Sequence, residues 1–409
     1  MFAQGWSTPA VDLSPPRFHP ATTGLHWTGR SKLRVIAMIG WNALVLLAAS
    51  SVAFAAPPTP FAPAPAPAPV TVPTPEQVMA IPPEIHAQLQ ERVIKVANSP
   101  EQRLHLLVEL VFRPEGLALE YETAATLTVA ETWQRRRANC LSFTLLFVAL
   151  AREVGLEARM QEVGQVVTWY QDQGLIFNAG HVNVGMRVGG RSATLDLDSN
   201  VLYDRRGPQP ISDRRALAHF YNNRGAEQLA ARDYAGARAY FDAALRMEPR
   251  FAPGWSNLGV LESRVNDLDA AARDLETALS INASHAPALQ NATNLYQRMG
   301  NSRRVAQLQT RLEQVRARDP FYQYMQGTAA ERAGNYATAV HYYREAVRLY
   351  GNAHQFHFGL ARAYFLSGDN HLAMREMKRA RDLGGDPMRA VYQSKLDGIR
   401  RLEARHAAR

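Results

Sequence analysis

Glycine and alanine recur at an interval of 34 residues through the second half of this 409-residue chain. Gly225 and Gly259, Ala237 and Ala271, and Ala244 and Ala278 are such pairs; Gly334 and Gly368, Ala339 and Ala373, and Ala346 and Ala380 follow. A fixed period of this length is the mark of stacked helix pairs. One pair cannot bury its apolar face alone, and small residues at fixed points let the next pair approach. The period therefore confines residues 216–387 to an all-α solenoid of about five units. Its core is predicted at Tyr221, Phe241, Trp255, Leu258, Leu275, Tyr343, Leu360 and Met377. The unit at 286–319 is degenerate, with Thr293 at the glycine position and Val305 at the alanine position. Residues 388–409 read as a polar capping helix. His354 and His357 fall in a repeat helix and are expected on its surface.

These units resemble tetratricopeptide (TPR) repeats. Residues 252–285 show the bulky–x-x–Leu–Gly start in Trp255, Leu258 and Gly259, then Ala271, Leu275 and Ala278. Residues 218–251 show Tyr221, Gly225, Tyr234, Ala237, Phe241, Ala244 and the closing Pro249. The resemblance implies that the concave face of the first helix in each pair receives a protein or peptide partner. Residues 216–409 hold 27 basic and 19 acidic residues, spread out rather than clustered. Such a distribution reads as a solvated surface, with an acidic partner or an anionic envelope polymer as the lesser reading; nucleic acid is not expected for an exported protein.

The other end of the chain carries a targeting pattern. Arg17, Arg30, Lys32 and Arg34 precede an apolar run at 35–56 that ends in the small residues Ala53-Phe54-Ala55. A basic flank followed by such a run reads as a secretory signal, and its length also suits a retained membrane anchor. Residues 1–56 are thus a basic N-region with signal or anchor. Either reading places the rest of the chain in the periplasm, free or held at the inner membrane. Residues 57–83 contain 11 of the 24 prolines and read as a semi-rigid linker. The formal net charge is +9, but 42 of the 46 basic residues are Arg throughout the chain, so the excess marks no one region.

Between linker and repeats, residues 84–215 read as helices followed by an antiparallel sheet. Ile85, Leu89 and Val93, then Leu104, Leu107 and Val111, follow helical spacing. Asn139 suits an N-cap and Gly155 a helix stop, which makes Cys140 the first residue of a long apolar helix. Residues 156–170 and 181–198 alternate as strands do, with Gly189-Gly190 as a two-residue hairpin turn. Cys140 is the chain's one cysteine, which excludes an internal disulfide and a cysteine-rich metal centre. It is either an inert buried group or a reactive thiol. A thiol at a helix start faces the positive end of the dipole, which favours the thiolate, and Arg135, Arg136 and Arg137 add positive potential. No metal and no cofactor is expected.

The run "RRRANCLSFTLLFVALAREVGLEARMQEVG", the "GHVNV" with His181 and the "ATLDLD" with its acids resemble the transglutaminase-like superfamily of papain-fold thiol enzymes. The resemblance implies an α+β domain with Cys140 as nucleophile, His181 as base and Asp196 to orient the ring. It implies a peptidase, an amidase or an acyltransferase acting on an envelope substrate. The rival reading is a non-catalytic envelope scaffold that keeps the thiol fold as a relic. Hairpin register and resemblance disagree on the acid. If Val188 pairs with Arg191, Asp198 lies directly across from His181 and Asp196 lies on the diagonal. The resemblance selects Asp196, fifteen residues after His181.

Overall fold

A computed structural model describes residues 71–122, 125–163, 169–172, 175–178, 181–197 and 207–407. The segment read as a signal or anchor, most of the expected linker, and Asp198 lie outside the described residues. The chain enters through α1 (Pro75–Met79), α2 (Pro83–Leu89) and a single π-turn at 90–94, then α3 (Pro100–Phe112). Residues 75–83 were expected to continue the spacer. Instead Thr74 caps α1 in a capping box with Gln77, Val78 is fully buried, and the Tyr221 hydroxyl donates to the Pro73 carbonyl at 2.9 Å. Proline here occupies the first turn of each short helix, where its missing N–H costs nothing.

A short parallel pair, β1 (Glu120–Tyr121) with β2 (Arg137–Ala138), brackets α4 (Val129–Arg135). Next comes α5 (Cys140–Glu153), buried without a break from Leu141 to Ala151. A helix that is apolar all round belongs in the middle of a core, and α5 packs against α3, α4 and the strands β3 and β6 of the sheet that follows. Gly155, at φ +74°, ends it as expected.

Six further strands follow: β3 (Glu157–Val163), β4 (Trp169–Asp172), β5 (Leu175–Asn178), β6 (His181–Val188), β7 (Arg191–Leu195) and β8 (Gln209–Pro210). The main sheet is antiparallel in the order β7-β6-β3-β8, and β4 pairs with β5 as a separate hairpin. Val188 pairs with Arg191 across Gly189 and Gly190, both at positive φ, so the turn and its register are those read from the sequence.

From Asp213 to Leu383 the chain forms five antiparallel helix pairs. The first helices are α6 (Asp213–Ala230), α8 (Ala252–Arg264), α10 (Ala286–Arg298), α12 (Pro320–Arg332) and α14 (His354–Leu366); the second are α7 (Tyr234–Met247), α9 (Leu268–Ile281), α11 (Ser302–Ala317), α13 (Tyr336–Leu349) and α15 (Asn370–Leu383). The second helices start at 234, 268, 302, 336 and 370, a constant step of 34. Helix α16 (Asp386–Ala407) closes the array. The small residues act as the period implies. A Cβ on Gly225 would meet the Phe241 ring at 2.5 Å, and one on Gly259 would meet Leu275 at 2.7 Å. The degenerate unit also forms a helix pair. There Thr293 replaces glycine and donates its hydroxyl to the Leu289 carbonyl at 2.7 Å. Gln309, at the position of Leu275 in the unit before, is exposed, while Leu308 and Leu312 are buried.

Two expectations about the array are corrected. His357 is buried rather than exposed: Nδ1 meets Glu376 at 2.7 Å and Nε2 meets the Gly351 carbonyl at 3.0 Å, so both ring nitrogens have partners. His354 is half-buried and meets the Tyr392 hydroxyl at 2.8 Å, tying α14 to α16. The core, moreover, does not pause at residue 216. One apolar cluster runs from Val78 and Ile85 through α5, Val182 and Val184 to Phe220, Tyr221, Tyr240 and Ala244. Arg152–Asp213 (2.6 Å) and Arg215–Glu162 (2.7 Å) reinforce the junction.

Candidate functional site

Cys140, His181 and Asp196 meet where the start of α5 abuts the start of β6. Asn139 places the thiol. Its backbone is extended, and its Oδ1 accepts from the Ser142 N–H at 2.8 Å, so the helix begins at Cys140. Thr144, one turn further, donates to the Cys140 carbonyl at 2.7 Å and lies 3.3 Å from the Val182 carbonyl, which ties the helix start to the strand that carries His181. Cys140 itself is partly exposed.

His181 is 5% exposed, and its Nε2 lies 2.6 Å from Oδ2 of Asp196. Cys140, at the start of α5, is close enough to bear on the charge of the ring. Burial by itself disfavours the imidazolium, but the hydrogen bond and charge of Asp196, with Cys140 nearby, outweigh it and push His181 up to about 10.

The hairpin register explains the geometry. With Val184 opposite Leu195, the next step puts Asn183 opposite Asp196, and Asn183 Nδ2 donates to Asp196 Oδ2 at 3.0 Å. Asp196 thus accepts from its direct neighbour and from His181 on the diagonal. The ladder ends at Leu195, which leaves the aspartate free to lean toward His181. Asp198 lies outside the described residues.

Sequence reasoning missed three groups around the site: Asn183, Thr144 and the Thr126-Leu127 segment. Thr144 had a signal, since a hydroxyl four residues after the first helical residue reaches back to that residue's carbonyl. Asn183 had one in the register. Thr126 had none in its local pattern. Its Oγ1 accepts from Asn139 Nδ2 at 3.1 Å, and the Leu127 N–H donates to Ser142 Oγ at 2.8 Å.

A second feature runs along the first helices of the repeats. Asn257 Nδ2 donates to Asn222 Oδ1 at 2.9 Å, and Asn291 Nδ2 to Ser256 Oγ at 3.3 Å. Each bond joins one helix pair to the next through side chains on equivalent turns.

No curated protein matches the chain. Solved structures similar to it include MamA (15% identity over 41% of this chain and 91% of MamA, TM-score 0.24). They also include YrrB, described as a TPR protein with an unusual peptide-binding site (15% identity, 44% and 92%, TM-score 0.24). A third is PilF of Pseudomonas aeruginosa (16% identity, 48% and 90%, TM-score 0.27). The tetratricopeptide repeat family model matches residues 222–287 and 324–387, on either side of the degenerate unit. With five helix pairs at a step of 34 residues, the C-terminal half of this chain is a tetratricopeptide solenoid.

Proposed function

We propose that the chain is an exported scaffold whose repeats dock a protein or peptide segment along the first helices of the array. The observation that carries this reading is the match of two stretches to the tetratricopeptide family, in an array that also completes its degenerate unit. Asn257 and Asn291 stand half-buried along those helices, and amide side chains of this kind have donors and acceptors that can pair with a peptide backbone. The basic flank and apolar run at the N-terminus support export. The test is titration of the full chain with a library of extended peptides. Binding that weakens at least tenfold in Asn257→Asp/Asn291→Asp supports the reading, and binding unaffected by these changes refutes it.

A second reading is favoured by the His181–Asp196 contact close to the helix start that carries Cys140: the N-terminal domain is a transglutaminase-like thiol enzyme. In that reading the Cys140 sulfur bonds to an amide carbonyl carbon, and the carbonyl π bond opens to a tetrahedral oxyanion. Backbone N–H groups at the start of α5 face that charge. The C–N bond then breaks, and His181 gives its proton to the departing amine. Water, or a second amine, attacks the thioester and releases the thiol. Asp196 holds the ring in orientation throughout. Iodoacetamide labelling of the folded full chain tests this. Fast labelling of Cys140 at neutral pH that slows in His181→Ala supports the thiol site. Slow labelling in both leaves the scaffold alone.

A further inference from the structure

The segment that steadies the start of α5 is itself held from outside the domain. Thr126 is 1% exposed. Its N–H donates to Glu227 Oε1 at 2.7 Å, and its carbonyl accepts from Arg224 Nη1 at 3.3 Å. Both partners sit on α6, the first helix of the first repeat, roughly a hundred residues along the chain. They lie one turn apart on one face, with Arg224 Nη1 3.6 Å from Glu227 Oε2. On its other side the same segment bonds Asn139 through the Thr126 hydroxyl, and Ser142 through the Leu127 N–H. Asn139 and Ser142 flank Cys140 and are bonded to each other. The path from Glu227 to the residues on both sides of Cys140 therefore has two links, each a hydrogen bond of ordinary length.

A surface carboxylate would be a weak anchor, since water competes for its bonds. Glu227 is partly withdrawn from water. Burial pushes its carboxyl up from the ordinary range, against the lowering pull of the Thr126 N–H and of Arg224. A bond made there to a buried backbone N–H is costly to leave unmade.

We infer that Glu227, with Arg224 beside it, is a positioning residue for the Cys140 site. The first repeat is then a working part of the thiol domain and not merely its neighbour. This rests on the thiol reading above. The carboxylate contributes by accepting from Thr126, which holds Asn139 in place as the cap that starts α5 at Cys140. A carboxamide oxygen can accept the same bond, so charge is not the essential property.

The test uses the full chain and iodoacetamide at neutral pH, with the melting of the protein followed in parallel. Glu227→Ala is expected to slow Cys140 labelling at least fivefold at a temperature where the variant is fully folded. Glu227→Gln is expected to label within twofold of the wild type. Three outcomes overturn the inference: unchanged or faster labelling in Glu227→Ala, equal slowing in both variants, or a lowered melting temperature with an unaltered rate. Should the wild type label no faster than His181→Ala, the thiol reading itself fails and this inference falls with it. That result is distinguishable because it appears before any change at Glu227.

Discussion

In the repeat array, side-chain bonds that join successive helix pairs span about one repeat: Asn257 to Asn222, Asn291 to Ser256 and Arg298 to Ser263 are each 35 residues apart. Where the domain before it meets the first repeat, comparable bonds span 53 residues (Arg215 to Glu162), 101 (Thr126 to Glu227) and 148 (Tyr221 to Pro73). A nearest-neighbour structure repeats its solution, so one period in the sequence describes all of it. A domain closed by long-range contacts solves each junction once. It can also bring a thiol, an imidazole and a carboxylate from three elements to one point, which a uniform stack does not do.

The largest effect that separates the two regions is chemical. Cys140→Ala is expected to abolish iodoacetamide labelling and to reduce any acyl-transfer activity by orders of magnitude, as happens when one member of a triad that acts as a unit is removed. Circular dichroism and melting should stay near wild type, because Cys140 is partly exposed and its helix starts from Asn139. Turnover by a well-folded Cys140→Ala protein would end the thiol reading and leave the comparison one of stability alone.

The next effect asks whether the regions unfold together. Phe220 is fully buried in the cluster shared by α5 and the first repeat, whereas Phe356 is buried in a separate cluster with Phe321. Each truncation to alanine is expected to cost about 3–5 kcal/mol. The consequences should differ in reach. Phe220→Ala should lower the stability of domain and first repeat at once, while Phe356→Ala should loosen the fourth and fifth repeats only. Hydrogen exchange resolved along the sequence would show this. Loss of protection confined to 213–247 in Phe220→Ala would mean that the shared core does not couple the two.

What could be read beforehand follows the same division. The step of 34, the capping helix and the core aromatics were legible because they depend on neighbours one repeat away. The start of α5, the stop at Gly155 and the Gly189-Gly190 turn were legible because caps and tight turns are local chemistry. The register of the hairpin was also legible, yet it pointed to Asp198, since directly opposed residues are the usual partners in a ladder. Asp196 lies beyond the last paired residue, Leu195, and meets His181 along the diagonal, while Asp198 lies outside the described residues. The packed end of the linker, the buried His357 and the grip of α6 on Thr126 have no local signature. Each depends on what arrives from a distant part of the chain. His357 looked like a surface residue because its partner, Glu376, stands on the next helix.

A smaller effect distinguishes repeats from one another. Gly259→Thr in the second repeat would drive a Cβ into Leu275 and is expected to cost about 1–3 kcal/mol. The third repeat already holds threonine at this position, where Gln309 stands outside the interface. Adding Leu275→Ala should therefore recover part of the loss in Gly259→Thr. Additive losses in the double variant would show that packing at this pair is not what makes glycine necessary.

The smallest effect is one of sign, and it opposes the two regions under acid. Glu162 lies in the junction. Burial raises its carboxyl, but His219, 3.4 Å away, and the bonded guanidinium of Arg215 prevail and bring it to about 2, below the unfolded value of 4.5. Its contribution is present above pH 4.5 and is lost as pH falls toward 2. Asp274, in α9, goes the other way: burial first, then the negative charge of Glu262, raise it from 3.8 to about 6. Its ionisation costs the folded array stability above pH 6, and that cost disappears as pH falls from 6 toward 3.8. Because Asp274 is only half-buried, solvent screening keeps the difference under about 1 kcal/mol. Acidification from pH 7 to pH 5 should thus stabilise the second repeat slightly while the junction is unaffected. Below pH 4.5 the junction should weaken. Asp274→Asn should stabilise the array at pH 7 and remove its dependence between pH 4 and 6, whereas Glu162→Gln should flatten the loss below pH 4.5. Denaturant unfolding of the full chain, followed by hydrogen exchange in α9 and in β3, measures both. A wild-type array whose second repeat weakens between pH 7 and pH 5 would show that Asp274 is ionised at little cost and that the two regions respond to acid alike.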